Sequence, residues 1–397
     1  MSNESPNGIA MHRFGPVGTL VGILGLGAWG AMFMMGDEHS KHVLLGSYLY
    51  AFIAMICLTL GCFGLTLLHH TVRGVWGLPL LRFFEAGGGP VTLGFMAVAF
   101  VPVAIGLHSY HLFPWADPSH VDEIIRAKQW WLNEPRFLAF AALYFAIWIG
   151  FAAYLRRSSV LQDTNRDPNE AIKRTNVSAP GILIFFFTVT AAMTDWAMSL
   201  QPHWYSTVWG SWFAVGAALM AMSFASMLLM MHRKQQPFTD VVVPGLTKDL
   251  GNLMFTMTML WCYLMLSQFL IIWSANLKEE ITYFIARSEL GWFALGWIVI
   301  IGQFFLPFLV LLAPRTKAMA SLLVKVAAWI FVLRFLDLYW VIIPALRKDG
   351  PVPQISDAFA LLGLGGLWFS VFVAQHKKAN AFPLHDPRIR QVVEHAS

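Results

Sequence analysis

The fold is decided by the stretch from residue 176 to residue 212, which reads NVSAPGILIFFFTVTAAMTDWAMSLQPHWYSTVWGSW. It predicts an apolar helix of membrane-spanning length that carries the carboxylate of Asp195 and breaks at Pro202. A second stretch, IFVLRFLDLYWVIIP over residues 330–344, places Asp337 seven residues before Pro344, which is also the spacing from Asp195 to Pro202. Because an acid inside such a helix is costly, each carboxylate is expected to have a function or a buried partner.

The composition is that of a membrane protein. Of the 397 residues, 57% are hydrophobic and 12% are charged, and the mean hydropathy is +0.59, whereas soluble domains carry about 25% charged residues. Basic loops on one side of a membrane account for the net charge of +5, so it does not indicate a nucleic-acid partner. The three cysteines show neither C-x-x-C nor C-x-x-C-H spacing, so no metal site or covalent haem is predicted.

We predict an all-α integral membrane protein with ten transmembrane helices, called spans 1 to 10, in one polytopic domain over residues 1–397. The longer connections fall at about 108–136 and 156–179. The predicted spans lie near residues 17–36, 44–69, 91–107, 137–155, 180–200, 208–231, 250–274, 290–312, 319–343 and 358–375.

The two halves of the chain look related. Span 2 ends LLHHTVRG and span 6 ends LLMMHRKQ, and spans 5 and 9 share the spacing from acid to proline. The offset of four helices preserves orientation, so we predict two parallel four-helix bundles, spans 2–5 (44–200) and spans 6–9 (208–343), with spans 1 and 10 peripheral.

Lysine and arginine are distributed unevenly between the two sides. The side that holds both termini carries 17 of the 27, the opposite side carries eight, and two lie within spans. This bias predicts that both termini are cytoplasmic.

Several polar residues could carry chemistry within the predicted spans. Thr188, Asp195 and Ser199 fall on one helical face, which suits a hydrogen-bonded proton path or a lock between helices. Arg334 and Asp337 are three residues apart and can pair, either for function or as a purely structural ion pair.

Other candidates lie near the ends of the spans. His69, His70 and Asp249 could take up protons at the inner rim, although solvated loop ends are the alternative. Before span 4, the run WLNEPRF predicts a hydrogen-bonded helix start with Glu134 near its positive end. No histidine falls at mid-membrane depth, which disfavours a bis-histidine haem, and no phosphate loop, zinc spacing or hydrolase triad is present.

Four runs together resemble a known family. They are WWLNEPRF (130–137), TDWAMSLQPHWYSTVWG (194–210), KDLGNLMFTMTMLWCYLMLSQFLIIWSANLKEE (248–280) and RFLDLYWVIIP (334–344). The chain resembles, over spans 2–10, the ActF-type membrane subunit of bacterial alternative complex III, within the NrfD-like (polysulfide reductase membrane subunit) group. The resemblance points to Asp195, Asp249, Arg334 and Asp337 as polar site positions, with His69 and His70 at an inner helix end.

The resemblance implies a ten-helix subunit with no redox cofactor of its own, in a complex of the bacterial cytoplasmic membrane that oxidises a quinol, usually menaquinol. Menaquinone is then expected near the chain, with haem c and iron–sulfur clusters on other subunits. The expected partners are a paralogous NrfD-like quinol-binding subunit, an iron–sulfur subunit, multihaem and monohaem cytochrome c subunits, a terminal oxidase and lipids.

Three functions follow as hypotheses. The first is a scaffold and proton-conducting half channel in a quinol:cytochrome c oxidoreductase (or one with another electron acceptor), with Asp195 carrying protons in the outer half and Arg334–Asp337 tuning or continuing the path. The second is a proton-coupled secondary transporter, which would act without partners. The third is a structural anchor whose buried acids only lock helices together.

Overall fold

A computed structural model describes residues 9–383 apart from 237, 290 and 348–349, together with residues 385, 386 and 388. The described residues form helices and connecting turns, without a strand among them. Ten helical spans are long and apolar enough to cross a membrane, which confirms the predicted all-α, multi-pass membrane fold. The spans are Ala10–Met35, Glu38–Val72, Leu81–Tyr110, Glu134–Asn165, Asn169–Leu200, Trp209–Met231, Pro244–Ala275, Trp292–Leu312, Ala320–Leu346 and Ile355–His376.

The ten spans run alternately up and down, so the first begins and the tenth ends on the same side of the molecule. We call this side the terminal end and the opposite side the distal end. Spans 5, 7 and 9 run toward the distal end, whereas spans 4, 6 and 8 run away from it. The distal end therefore carries the connections 111–133, 201–208 and 276–291.

Two spans contain irregular segments. Span 3 consists of three helices, Leu81–Gly87, Pro90–Ala99 and Val101–Tyr110, in which prolines occupy the first turns of the second and third. Proline lacks the N–H that continues a helix, so it favours such a restart. Span 8 contains a π-helical segment, Ile300–Phe305, a form that often marks functional positions.

The prediction that residues 156–179 form a long connection was wrong, because most of these residues are helical. The helix Glu134–Asn165 and the helix Asn169–Trp196 extend through it and leave only a short turn. Polar side chains bond the two extensions together: Arg174 Nη2 donates to Gln162 Oε1 at 2.6 Å and Nη1 donates to Ser158 Oγ at 3.2 Å. A polar composition therefore concealed two paired helix ends.

Spans 2, 6 and 9 pack against one another at the centre of the molecule. Spans 2 and 6 approach so closely that a Cβ atom on Gly61 would lie 1.9 Å from the backbone oxygen of Ala217. Spans 3, 4 and 5 pack on the span 2 side, and spans 7 and 8 pack on the side of spans 6 and 9. We call spans 2–5 the first bundle and spans 6–9 the second; their origin as a parallel repeat stays a prediction.

Spans 1 and 10 pack closely against each other. Their seam is lined by glycines, and a Cβ atom on Gly25 would lie 2.6 Å from the backbone nitrogen of Gly363. Small residues at such a seam let two membrane helices approach closely. Span 10 in turn packs against spans 2 and 3, so it joins this pair to the first bundle.

Candidate functional site

Asp195 lies in the last turn of the helix Asn169–Trp196, near the distal end of span 5, and is 1% exposed. Its Oδ1 atom accepts hydrogen bonds from Arg136 Nη1 at 2.5 Å and from Trp131 Nε1 at 3.0 Å. Its Oδ2 atom accepts one from the hydroxyl of Tyr144 at 2.9 Å. Both oxygens are therefore partnered, and we call these four residues the distal clamp.

The start of span 4 positions the arginine of the clamp. Asn133 caps the helix, and its Oδ1 atom accepts a hydrogen bond from the backbone nitrogen of Arg136 at 3.0 Å. The guanidinium of Arg136 stacks 3.5 Å from the ring centroid of Trp131. These contacts confirm the hydrogen-bonded helix start predicted from WLNEPRF.

Two distal connections close over the clamp. Lys128 Nζ donates to the backbone oxygen of Pro202 at 2.6 Å, and burial lowers the pKa of Lys128. His203 Nε2 lies 2.6 Å from Asp122 Oδ2. Beside the clamp, a groove of about 280 Å³ opens to the outside. Its lining residues are mainly aromatic and apolar: Lys128, Trp130, Trp131, Leu132, Thr194, Met198, Ser199, Pro202, Trp204 and Tyr205.

The second buried acid lies in span 9. Arg334 Nη1 pairs with Asp337 Oδ2, which confirms that these two residues share a face and pair, and each residue is 1% exposed. The guanidinium rests on span 6 at Gly216, where a Cβ atom would come within 2.3 Å of Arg334 Nη2. In contrast to Asp195, Asp337 has one oxygen, Oδ1, that makes no hydrogen bond of good geometry to a described residue, and the indole N–H of Trp261, which also makes none, faces the Asp337 carboxyl.

Further polar atoms inside the second bundle also lack partners within the described part of the chain. They include Ser226 Oγ, Thr258 Oγ1, Trp261 Nε1 and both polar side-chain atoms of Gln303. Gln303 is 0% exposed and belongs to the π-helical segment. Because burying an unpaired amide is costly, such groups are expected to bond ordered water.

These atoms lie at different depths along the second bundle. Trp329 Nε1 donates to the backbone oxygen of Gly302 at 2.8 Å, so Gln303 lies close to span 9 one turn before Arg334. The Trp261 ring centroid lies 6.0 Å from Arg334 Cζ, and Thr258 precedes Trp261 by nearly one turn. The unpaired polar groups therefore approach the Arg334–Asp337 pair from the terminal side.

A buried arginine closes the distal end of the second bundle. Among the described residues, Arg287 donates to backbone oxygens alone, at 3.2 Å to Trp340, at 2.5 Å to Val341 and at 2.8 Å to Tyr283. Burial lowers the pKa of Arg287 to about 10 and raises that of Tyr283 to about 12. Arg287 thus fixes the distal segment to the last turns of span 9.

The two histidines at the end of span 2 are buried, so the alternative of solvated loop ends was wrong for them. His69 is 0% exposed and His70 is 2% exposed. Arg388 Nη2 lies 3.4 Å from His69 Nε2 and 2.7 Å from Asp386 Oδ2. Burial raises the pKa of Asp386, but the hydrogen bonds and charge of Arg388 outweigh it, so this pKa lies below its ordinary value.

A larger ionic network lies at the same terminal end. Arg82 pairs with Glu85 at 2.6 Å and with Asp163 at 2.6 Å, and its side chain is buried. The network joins the start of span 3 to the end of span 4. It explains why these charged residues lie inside the fold and not on its surface.

The remaining predicted residues do not join either acid's carboxylate. Thr188 Oγ1 accepts a hydrogen bond from Trp148 Nε1 at 2.9 Å. Ser199 lies in the turn Met198–Leu200, beyond the end of the helix, and bonds the backbone oxygen of Asp195. The predicted continuous helical face through Ser199 was therefore wrong. Asp249 is exposed, without a hydrogen bond or ion pair among the described residues.

Sequence reasoning missed the clamp residues Trp131, Arg136 and Tyr144 and the buried amide of Gln303. WWLNEPRF signalled an ordered helix start, but the distance in sequence from Arg136 to Asp195 concealed their pairing. Across the described residues, His, Cys, Asp and Glu side chains do not form a group of three that could hold a metal ion. No protein-family model matches the chain, and the search of curated proteins finds no match.

Proposed function

We propose that the chain is a membrane subunit of a quinol:electron-acceptor oxidoreductase of the alternative complex III type. It acts as a scaffold and provides a proton-conducting half channel, without a redox cofactor of its own. The observation that carries the channel role is the buried Arg334–Asp337 pair, in which the Oδ1 atom of Asp337 makes no hydrogen bond of good geometry to a described residue.

A proton carrier must exchange protons with water and must tolerate both of its charge states. Asp337 meets the first condition, because its Oδ1 atom, which the Trp261 indole faces, still has a lone pair that can accept a hydrogen bond from water inside the bundle. Arg334 meets the second, because its guanidinium stabilises the ionised acid and can bond backbone or water when the acid is neutral. The unpaired atoms of Thr258 and Gln303 offer further sites for water on the terminal side.

Asp195 suits the scaffold role better. Three donors fill its two oxygens, one of them a charged guanidinium, so proton exchange would first require the distal clamp to open. This full pairing also favours the second candidate function, a structural anchor whose acids only lock helices. The half channel and the structural anchor predict different effects of removing the Asp337 charge: the first predicts less proton release and the second predicts loss of assembly.

The setting of the proposed complex rests on the four runs of sequence and on the charge bias. We place the subunit in a bacterial cytoplasmic membrane with both termini cytoplasmic, because 17 of its 27 lysines and arginines lie on the terminal side. The proposed partners carry the redox groups, iron–sulfur clusters and haem c, and a paralogous ten-span subunit binds menaquinol nearby.

Mass spectrometry of the tagged chain, purified in mild detergent, tests the proposed complex. We expect an iron–sulfur protein, multihaem and monohaem c-type cytochromes and a paralogous ten-span subunit to co-purify, with quinol oxidation activity in the same fraction. A folded, monodisperse chain purified alone would contradict this proposal and favour the secondary transporter.

A further inference from the structure

The pair formed by spans 1 and 10 leaves a groove on its surface at the terminal half of the membrane. The groove has a volume of about 520 Å³. It is lined by Gly15, Pro16, Thr19, Leu20, Ile23, Ser370, Val373, Ala374 and Lys377. From Gly15 to Ile23 it follows span 1 for about 12 Å, which is more than two helical turns.

The walls of this groove present hydrocarbon. Thr19 Oγ1 donates to Ser370 Oγ at 2.9 Å, and Ser370 Oγ donates to the backbone oxygen of Gly15 at 2.8 Å. The two hydroxyls in the wall are thus already paired. The neighbouring Leu20 and Ile23 side chains are each 59% exposed, so the groove is open along an apolar rim.

The terminal mouth of the groove is positively charged. Lys377 is exposed, lines the groove, and its ammonium makes no hydrogen bond or ion pair with another described residue. Arg13, near the terminal end of span 1, is also exposed. A cationic end above an apolar channel at membrane depth matches one chemical class, a lipid with an anionic head group and an acyl chain.

We propose that this groove binds an anionic phospholipid, with one acyl chain between spans 1 and 10 and the phosphate beside Lys377. The positive charge of Lys377 favours an anionic head group over a zwitterionic one. The lipid covers the apolar face that spans 1 and 10 leave open to the surroundings. The glycine seam keeps the two helices close and so preserves the shape of the groove.

Native mass spectrometry of the full-length chain in mild detergent measures the binding. The probes are phosphatidylglycerol and phosphatidylcholine with identical acyl chains. We expect phosphatidylglycerol to bind more tightly, and Lys377→Gln to weaken it about fivefold while leaving phosphatidylcholine unchanged, since one lysine near an anionic lipid contributes on this scale. Lys378→Gln, next in sequence but outside the groove lining, should change neither lipid.

A second variant tests the apolar part of the site. Ala374 is exposed on the groove wall, so Ala374→Phe fills the groove without entering the protein core. It should weaken both lipids. Equal binding of the two lipids by the unmodified chain, equal losses for Lys377→Gln and Lys378→Gln, or no effect of Ala374→Phe would each overturn the proposal.

Discussion

The distal clamp makes a quantitative prediction for Arg136→Gln. This change removes the charged donor to Asp195, whose carboxylate is 1% exposed and retains only Trp131 and Tyr144 as donors. Removing one partner of a buried ion pair costs about 3–5 kcal/mol. Because the Arg136 side chain is 12% exposed, we expect the lower end, a loss of about 3 kcal/mol in the free energy of unfolding.

The double variant Arg136→Gln/Asp195→Asn distinguishes the cost of leaving Asp195 as an unpaired buried charge from the cost of losing the packing of the Arg136 side chain. It leaves no uncompensated charge, so it should be more stable than Arg136→Gln alone by at least about 1 kcal/mol. Denaturant titration in detergent, followed by tryptophan fluorescence, measures these differences. Lys41→Gln, which breaks the exposed pair with Glu38, serves as the control and should have no measurable effect.

Two results would refute the clamp. One is an Arg136→Gln variant within about 0.5 kcal/mol of the unmodified chain. The other is a double variant whose loss in free energy of unfolding equals the sum of the losses of Arg136→Gln and Asp195→Asn measured separately. Such additivity would mean that the two residues do not interact.

Three further predictions concern other parts of the fold. Gly61→Leu should abolish folded protein because its Cβ atom would lie 1.9 Å from a backbone oxygen of span 6, whereas Gly27→Ala, with nothing within 4 Å, should accumulate normally in membranes. Arg287→Lys should lower the free energy of unfolding by about 2 kcal/mol, because an ammonium cannot reproduce the guanidinium's bonds to three carbonyls. The Asp386–Arg388 pair, which contacts His69, should stabilise the end of span 2 above about pH 4. This effect should be lost as the pH falls through the lowered pKa of Asp386, which hydrogen exchange at the end of span 2 at decreasing pH would detect. Unchanged protection down to about pH 3 would contradict the last prediction.

The ten spans could be predicted because hydrocarbon imposes a length and an apolar composition that a single sequence displays directly. The same rule located the two acids, since a charge in such a segment stands out. It failed at residues 156–179, where polar side chains such as Arg174 and Gln162 pair between two helix ends. A polar helix end buried by its partner has the composition of a loop.

The partners of the acids were only half predictable. Arg334 and Asp337 are neighbours on one helix, so their spacing alone indicated the pair. Arg136 and Asp195 lie on different spans, and nothing in their local sequence specifies which spans meet. The role of Gln303 was equally hidden, because a single amide in an apolar helix does not reveal that the helix is locally π-helical or that the amide lacks a partner.

The most direct test of the channel proposal is the number of protons released per quinol oxidised by the intact complex in sealed vesicles, compared for Asp337→Asn and for Asp249→Asn. In Asp337→Asn, asparagine keeps the shape of the buried side chain but cannot carry a proton. Asp249→Asn is the control, because Asp249 is exposed at the terminal end. We expect Asp337→Asn to assemble, to oxidise quinol and to release fewer protons per quinol, while Asp249→Asn behaves like the unmodified complex. An unchanged proton yield from assembled Asp337→Asn complex would contradict the channel role, and loss of assembly would favour the structural anchor.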